Sequence, residues 1–225
     1  MTEAMGLDIY GTLVDPLQMN EHLRPFAGEN ADHMASIWRD KQIEYTFRRG
    51  LMREYEDFGA CTDQALIFAA QAFELDLSIE DREKLIEEYQ NLRAFPDVIP
   101  GIEALKGEGY TIVAFSNGVE GTTRTLLDRA GILPHLDGVV SVDDLKTFKP
   151  NPQVYRYLAG RLRSVPEETW VVSSNPFDVI GAKNASLKAA WVRRKPDAVF
   201  DPWGIEPDLV VPDLEALAES LRSRE

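Results

Sequence analysis

The 225-residue chain has one cysteine, Cys61, so it cannot close an intrachain disulfide. It has no apolar run near the ~18 residues that a membrane-spanning helix needs. Its first residues, Met1-Thr2-Glu3-Ala4-Met5, lack the basic stretch followed by an apolar one that marks a secretory leader. The cytoplasm is therefore the expected compartment. Positive charge is also scarce: 24 Lys and Arg stand against 38 Asp and Glu, a formal net charge of −14. That balance argues against nucleic acid or an anionic membrane as a partner. It also means that any anionic ligand needs local positive charge at its site. Histidine is rare as well, and His22, His33 and His135 have no metal-ligand spacing. They are read as solvated or packed side chains.

What is present has the pattern of an α/β protein. Met5 to about Tyr10 is a short apolar run ending in a turn, read as a strand despite Gly6 within it. From Glu29 to Arg53 the spacing of Met34, Ile37, Trp38, Ile43, Phe47 and Leu51 predicts a helix. A second helix is expected after Thr62, and a third from the cap Ser78 to about Leu92. Beyond Pro96 the character changes. Strands at 110–115, 138–142, 170–172, 189–192 and 209–211 alternate with helices, the last beginning at Asp213. This alternation predicts a Rossmann-like open, mostly parallel sheet flanked by helices. The expected organisation is an α/β core from residues 1–14 and 97–225, with an inserted all-helical cap over 15–96. In such sheets ligands bind beyond the carboxyl ends of the strands. Polar clusters fall there: Asp8 to Thr12, Ser116-Asn117, Lys149, and Ser173 to Asp178.

Four segments carry a more specific signal. They are Asp8-Ile9-Tyr10-Gly11-Thr12-Leu13-Val14-Asp15, Phe115-Ser116-Asn117-Gly118, Lys149-Pro150, and Val172-Ser173-Ser174-Asn175-Pro176-Phe177-Asp178. In this order they resemble the four motifs of the haloacid dehalogenase superfamily. A fifth segment, Trp38-Arg39-Asp40-Lys41-Gln42-Ile43-Glu44-Tyr45-Thr46, resembles the cap helix of the L-2-haloacid dehalogenases within it. Phosphatases of the superfamily carry a second Asp where this chain has Tyr10, and a Gly-Asp pair where it has Ser173-Ser174. Mg²⁺ is held mainly by carboxylates, so a site reduced in this way is expected to use no metal and no other cofactor.

The resemblance implies hydrolytic dehalogenation of a small anionic L-2-haloacid. Asp8 attacks Cα from the side opposite the halogen, and water then cleaves the ester at the Asp8 carbonyl. Thr12 and Lys149 are implied to hold Asp8. Ser116 and the backbone amides near Ile9 and Tyr10 hold the substrate carboxylate. Arg39, Asn117 and Phe177 cradle the halide. Asp178, with Ser173 and Asn175, positions the hydrolytic water. Tyr155 supports Lys149 or Asp178 at the edge of the binding group, and Tyr10, Ile43, Phe58 and Phe177 wall the pocket. The rival readings are a Mg²⁺-dependent phosphatase or phosphonatase, a hydrolase of strained carboxylated rings, and a non-catalytic binding protein on the same scaffold. Asp40 is a departure from the Gln common at that place, and either pairs with Arg39 or faces solvent. The apolar cap helices are a candidate surface for a homodimer.

Overall fold

The structure, a computed structural model, describes residues 3–223. Its six strands are β1 Ala4–Leu7, β2 Thr111–Ser116, β3 Gly138–Ser141, β4 Thr169–Ser173, β5 Lys188–Val192 and β6 Leu209–Val211. They form one sheet in the order β3-β2-β1-β4-β5-β6. Every neighbouring pair is parallel, so the described sheet is fully rather than mostly parallel. The α-helices are α1 Met19–Ala27, α2 Ala31–Met52, α3 Phe58–Ala72, α4 Ile79–Glu88, α5 Val98–Gly107, α6 Glu120–Arg129, α7 Pro152–Arg161, α8 Pro176–Asn184 and α9 Leu214–Arg222. Strand order reverses between β1 and β4, where open α/β sheets leave a crevice for ligands. No described helix is long and apolar enough to cross a membrane.

The strands are apolar on both faces because both faces are covered. Met5, Leu7, Ile112, Ala114, Trp170 and Val172 share a core with Ile102 and Leu105 of α5 and Leu214 and Leu217 of α9. The same cluster continues into Met34 and Trp38 of α2, Leu66 of α3 and Leu85 of α4. On the opposite face Val113, Phe115, Val171 and Trp191 meet Val154 and Leu158 of α7 and Val179 and Ala182 of α8. Gly6 has a reason in this layer. A Cβ there would lie 2.6 Å from Leu158 Cδ2 and 3.1 Å from Phe115 Cβ. Gly181 on α8 does the same service on the other side of α7, where a Cβ would lie 2.4 Å from the Tyr155 hydroxyl. The two glycines let α7 sit deep between β1 and α8.

Two boundaries and one buried face differ from the sequence expectation. β1 ends at Leu7 rather than near Tyr10. The Asp8 amide still reaches the Val172 carbonyl at 2.9 Å, but the Ile9 carbonyl then accepts the amides of Thr12, Leu13 and Val14 and turns the chain off the sheet. α3 begins at Phe58, ahead of Thr62, because Asp57 caps it by accepting the Ala60 amide. The buried stripe of α2 is Ala31, Met34, Ala35, Trp38, Gln42 and Thr46, whereas Leu51 is exposed. Two of those core positions are polar, so a count of apolar spacing drifts toward Ile43, Phe47 and Leu51. The caps Ser78 and Asp213 fall where expected, each accepting a first-turn amide.

Candidate active site

The ends of β1, β2 and β4 bring the motif residues together. Asp8 follows β1 directly. One of its carboxylate oxygens, Oδ1, accepts from Lys149 Nζ at 3.0 Å. The other, Oδ2, accepts from the Thr12 hydroxyl at 2.9 Å and from Asn175 Nδ2 at 2.8 Å. The Thr12 hydroxyl itself takes the Ser174 amide at 2.8 Å, which leaves its proton for Asp8. The carboxylate is thus fixed by three donors, yet its side chain keeps 12% exposure. Lys149 and Asp178 lie behind it, and both are fully enclosed.

Lys149 Nζ has three acceptors: Asp8, the Phe115 carbonyl at 2.8 Å and Asp178 Oδ2 at 2.9 Å. Burial alone would lower its pKa, but the charges of Asp178 and Asp8 outweigh that and hold the ammonium above the ordinary lysine value. Burial raises the pKa of Asp178, with Lys149 opposing the rise and Asp8 adding to it. Asp178 also sits in the first turn of α8, whose amide dipoles favour its charged form. Tyr155 donates to Asp178 Oδ1 at 2.8 Å. Burial and the Asp178 charge push this phenol well above its usual value, so it stays a neutral donor.

Other motif residues occupy the surroundings. Asn117 accepts the Lys149 amide at 2.9 Å through Oδ1, which turns its NH2 group the other way. The Ser116 hydroxyl accepts the Gly118 amide at 2.9 Å. Among the described residues, no backbone acceptor takes the amides of Ile9 or Tyr10. Arg39 reaches in from α2 and donates to the Tyr10 carbonyl at 3.1 Å and to Gln42 Oε1 at 2.6 Å. Asp40 is exposed and forms no ion pair with Arg39. The Tyr10 ring lies between Phe58 and Tyr89, with centroids at 5.2 and 5.6 Å. Phe177 meets Phe47 edge-on at 5.1 Å, and Ile43 is half-buried on α2.

Of the two partners expected for Tyr155, it reaches Asp178, and it is wholly buried behind the carboxylates. Ser173 is also fully buried, and its hydroxyl accepts the Asn175 amide at 3.1 Å. The Ile9 side chain is core, leaving only its backbone to face a ligand. Sequence reasoning missed Gln42, Tyr89, Thr62 and Arg194. Arg194 donates to the Thr12 carbonyl and to Asp97, both at 2.6 Å, and so ties the nucleophile turn to the start of α5.

This arrangement presents a clamped, partly open carboxylate to an electrophile, with cations close to it and a buried carboxylate behind. A divalent cation fits it poorly. The space between Asp8 and Asp178 is filled by the Lys149 ammonium, and Ser174 stands where a further carboxylate would be needed.

Residues 2–186 match the family model described as haloacid dehalogenase-like hydrolase. The chain is 38% identical over 80% of its length to (S)-2-haloacid dehalogenase 1 of Pseudomonas sp. (strain CBS-3), covering 79% of that protein. It is 33% identical to haloacetate dehalogenase H-2 of Moraxella sp. (strain B), over 96% of each chain. The solved structure of an L-2-haloacid dehalogenase from Xanthobacter autotrophicus with chloropropionic acid covalently bound superposes with a TM-score of 0.94, at 28% identity, over 100% of both chains.

Proposed function

The chain belongs to the haloacid dehalogenase-like hydrolases, among the L-2-haloacid dehalogenases, and on that premise we propose that it removes halide from short L-2-haloacids through an ester on Asp8. The observation that carries this reading is Tyr10. In a phosphatase of this superfamily a carboxylic acid at that place protonates a leaving oxygen. Here burial first, then the Tyr89 neighbour, raises the phenol above its ordinary pKa and makes it a poor acid. Halide leaves without a proton, so a site lacking that acid suits carbon–halogen cleavage. The donor set around Asp8 and Asp178 supports a reaction without a metal.

The steps follow from the side chains. Asp8, held by Lys149, Thr12 and Asn175, attacks Cα as the carbon–halogen bond breaks. The substrate carboxylate is bound by Ser116 and the free amides of Ile9 and Tyr10. Arg39, Asn117 and Phe177 receive the halide, the guanidinium being permanently charged and weakly hydrated. Tyr10, Ile43 and Phe58 keep water from the first step. Asp178, with Asn175 beside it, then directs water at the ester carbonyl of Asp8, which restores the carboxylate and frees a hydroxyacid. Residues 15–96 act as the cap that completes this pocket, and residues 1–14 and 97–225 as the core. The test is halide release from chloroacetate and from both enantiomers of 2-chloropropionate in EDTA. Release from the L enantiomer with inversion to the D-hydroxyacid is expected. Product of retained configuration, or phosphate release from p-nitrophenyl phosphate in place of halide release, would overturn the reading.

A pH profile tests the second step. Because burial raises the Asp178 pKa, activity is expected to fall on the acid side from a pH above the ordinary aspartate value. Tyr155→Phe removes a bond that favours the charged form, so this limb moves to still higher pH. The neutral-pH loss is about tenfold or more in kcat, since a charge-assisted hydrogen bond is worth about 1.5–3 kcal/mol. An unmoved limb would show that Asp178 does not titrate in it.

A further inference from the structure

Gln42 is the polar residue at the centre of the buried stripe of α2, with 0% exposure. We infer that Gln42 is a positioning residue that aims the Arg39 guanidinium at the departing halide and, being neutral, leaves its positive charge uncompensated. This rests on the reading of Arg39 as the halide partner.

The geometry fixes the amide in one orientation. Oε1 accepts from Arg39 Nη1 at 2.6 Å and from the Tyr89 hydroxyl at 3.0 Å. Nε2 donates to the Thr62 hydroxyl at 2.6 Å, and that hydroxyl donates onward to the Phe58 carbonyl at 2.7 Å. A flipped amide would set its NH2 against two donors. The network is closed by Trp38, whose indole donates to the Thr62 carbonyl at 2.8 Å. Arg39 is therefore held from two sides, with the Tyr89 hydroxyl also in hydrogen-bond contact with it. Gln42 holds it from α2, and the Tyr10 carbonyl holds it from the nucleophile turn.

Charge is the second half of the inference. Buried or half-buried arginines usually pair with carboxylates, and this chain has an excess of them. The two on α2 beside Arg39 are directed elsewhere. Asp40 is exposed, and Glu44 pairs with Lys41 and Arg48. Among the described residues no carboxylate pairs with Arg39. A neutral acceptor orients the guanidinium without cancelling the field a halide needs as its negative charge develops.

The test is Gln42→Glu, which keeps size and acceptor but adds charge. Single turnovers of chloroacetate and bromoacetate are compared with wild type, alongside melting curves. The expected fall with chloroacetate is about 10²-fold, the size of effect that misplacing a reacting group produces. The bromoacetate-to-chloroacetate rate ratio is expected to rise, because the poorer leaving group loses more, while the melting temperature stays level or increases. Thr62→Val removes the acceptor that fixes the Gln42 Nε2 group, and a smaller change of the same sign is expected. Wild-type rates and an unchanged ratio in Gln42→Glu overturn the inference. Should that variant not fold, unchanged values in Thr62→Val overturn it. Arg39→Lys separates the two levels. If it alone leaves the ratio unchanged, the halide role of Arg39 fails; if it shifts the ratio and Gln42→Glu does not, that role stands and the Gln42 inference fails.

Discussion

Asp8→Asn is expected to release no measurable halide from any 2-haloacid, a loss of at least about 10⁴-fold, as removal of a nucleophile from a coupled site produces. The substitution keeps the shape of the side chain and replaces one anionic oxygen with NH2. That group then faces either Lys149 Nζ or the two donors at Oδ2, and the site loses the atom that forms the ester. Binding survives better than turnover, because Arg39 and the free amides of Ile9 and Tyr10 remain. Far-ultraviolet circular dichroism identical to wild type, with no single-turnover halide, is the result to look for. A companion measurement uses wild type in heavy-oxygen water. In a single turnover the product hydroxyl comes from Asp8, so the label stays in the Asp8 carboxylate. Label in the product after one turnover would mean that water attacks Cα directly and that Asp8 is only a base.

Lys149→Met is expected to destabilise the fold by about 3–5 kcal/mol at neutral pH, the cost of leaving buried charge unpaired. Lys149 is the ammonium between Asp8 and Asp178, and without it two carboxylates face one another. The pH dependence of the variant is diagnostic. One carboxylate will hold a proton in the folded state that it releases when unfolded, so the folded chain binds more protons. Stability of the variant therefore rises as pH falls from neutrality toward the ordinary carboxylate range. Wild type shares this acid-side trend only as far as its Asp178 pKa is raised, with Lys149 opposing the rise, and its basic side is set by Lys149. The folded pKa of Lys149 is raised, so its contribution is complete below the unfolded lysine value of 10.5 and is lost only as pH rises through the folded value. Urea denaturation of both proteins at two or three pH values separates these cases. A variant as stable as wild type at neutral pH would mean that the buried triad adds nothing to the fold.

The legible and illegible parts of the site differ in a physical way. Asp8, Asn117, Asn175 and Asp178 stand at strand ends or a helix start, and Lys149 in the turn before α7. The alternation of strand and helix was enough to set them on one edge of the sheet. The α-helix boundaries were legible where a cap accepts a first-turn amide, as at Ser78 and Asp213. Gln42 stood in the cap-helix segment without a role, and the roles of Thr62 and Tyr89 were not legible. Each belongs to a different helix, α2, α3 or the end of α4, and their roles exist only when those helices meet. A glutamine in a charged helical run has the appearance of a solvated residue, and the apolar count moved past it to Leu51. Arg194 follows the same logic, since its partners Thr12 and Asp97 lie 182 and 97 residues away. Tyr155 was visible as a candidate, but only packing could say which of two charged neighbours it serves.

The close seating of α7 between Gly6 and Gly181 has a consequence for how this protein tolerates change. Neither glycine touches a reacting atom, yet α7 carries both Leu158, which fills the space over Gly6, and Tyr155, which reaches Asp178 across Gly181. A methyl group at either position pushes on α7 or on the phenol, and so acts on the surroundings of Asp178 from a distance. In a library of random variants screened for turnover, Gly181 is expected to be the less tolerant of the two, because Pro150 and the Tyr155 ring give way less readily than the end of Leu158. Drift in the sequence is thereby confined to surfaces that do not set the depth of one helix.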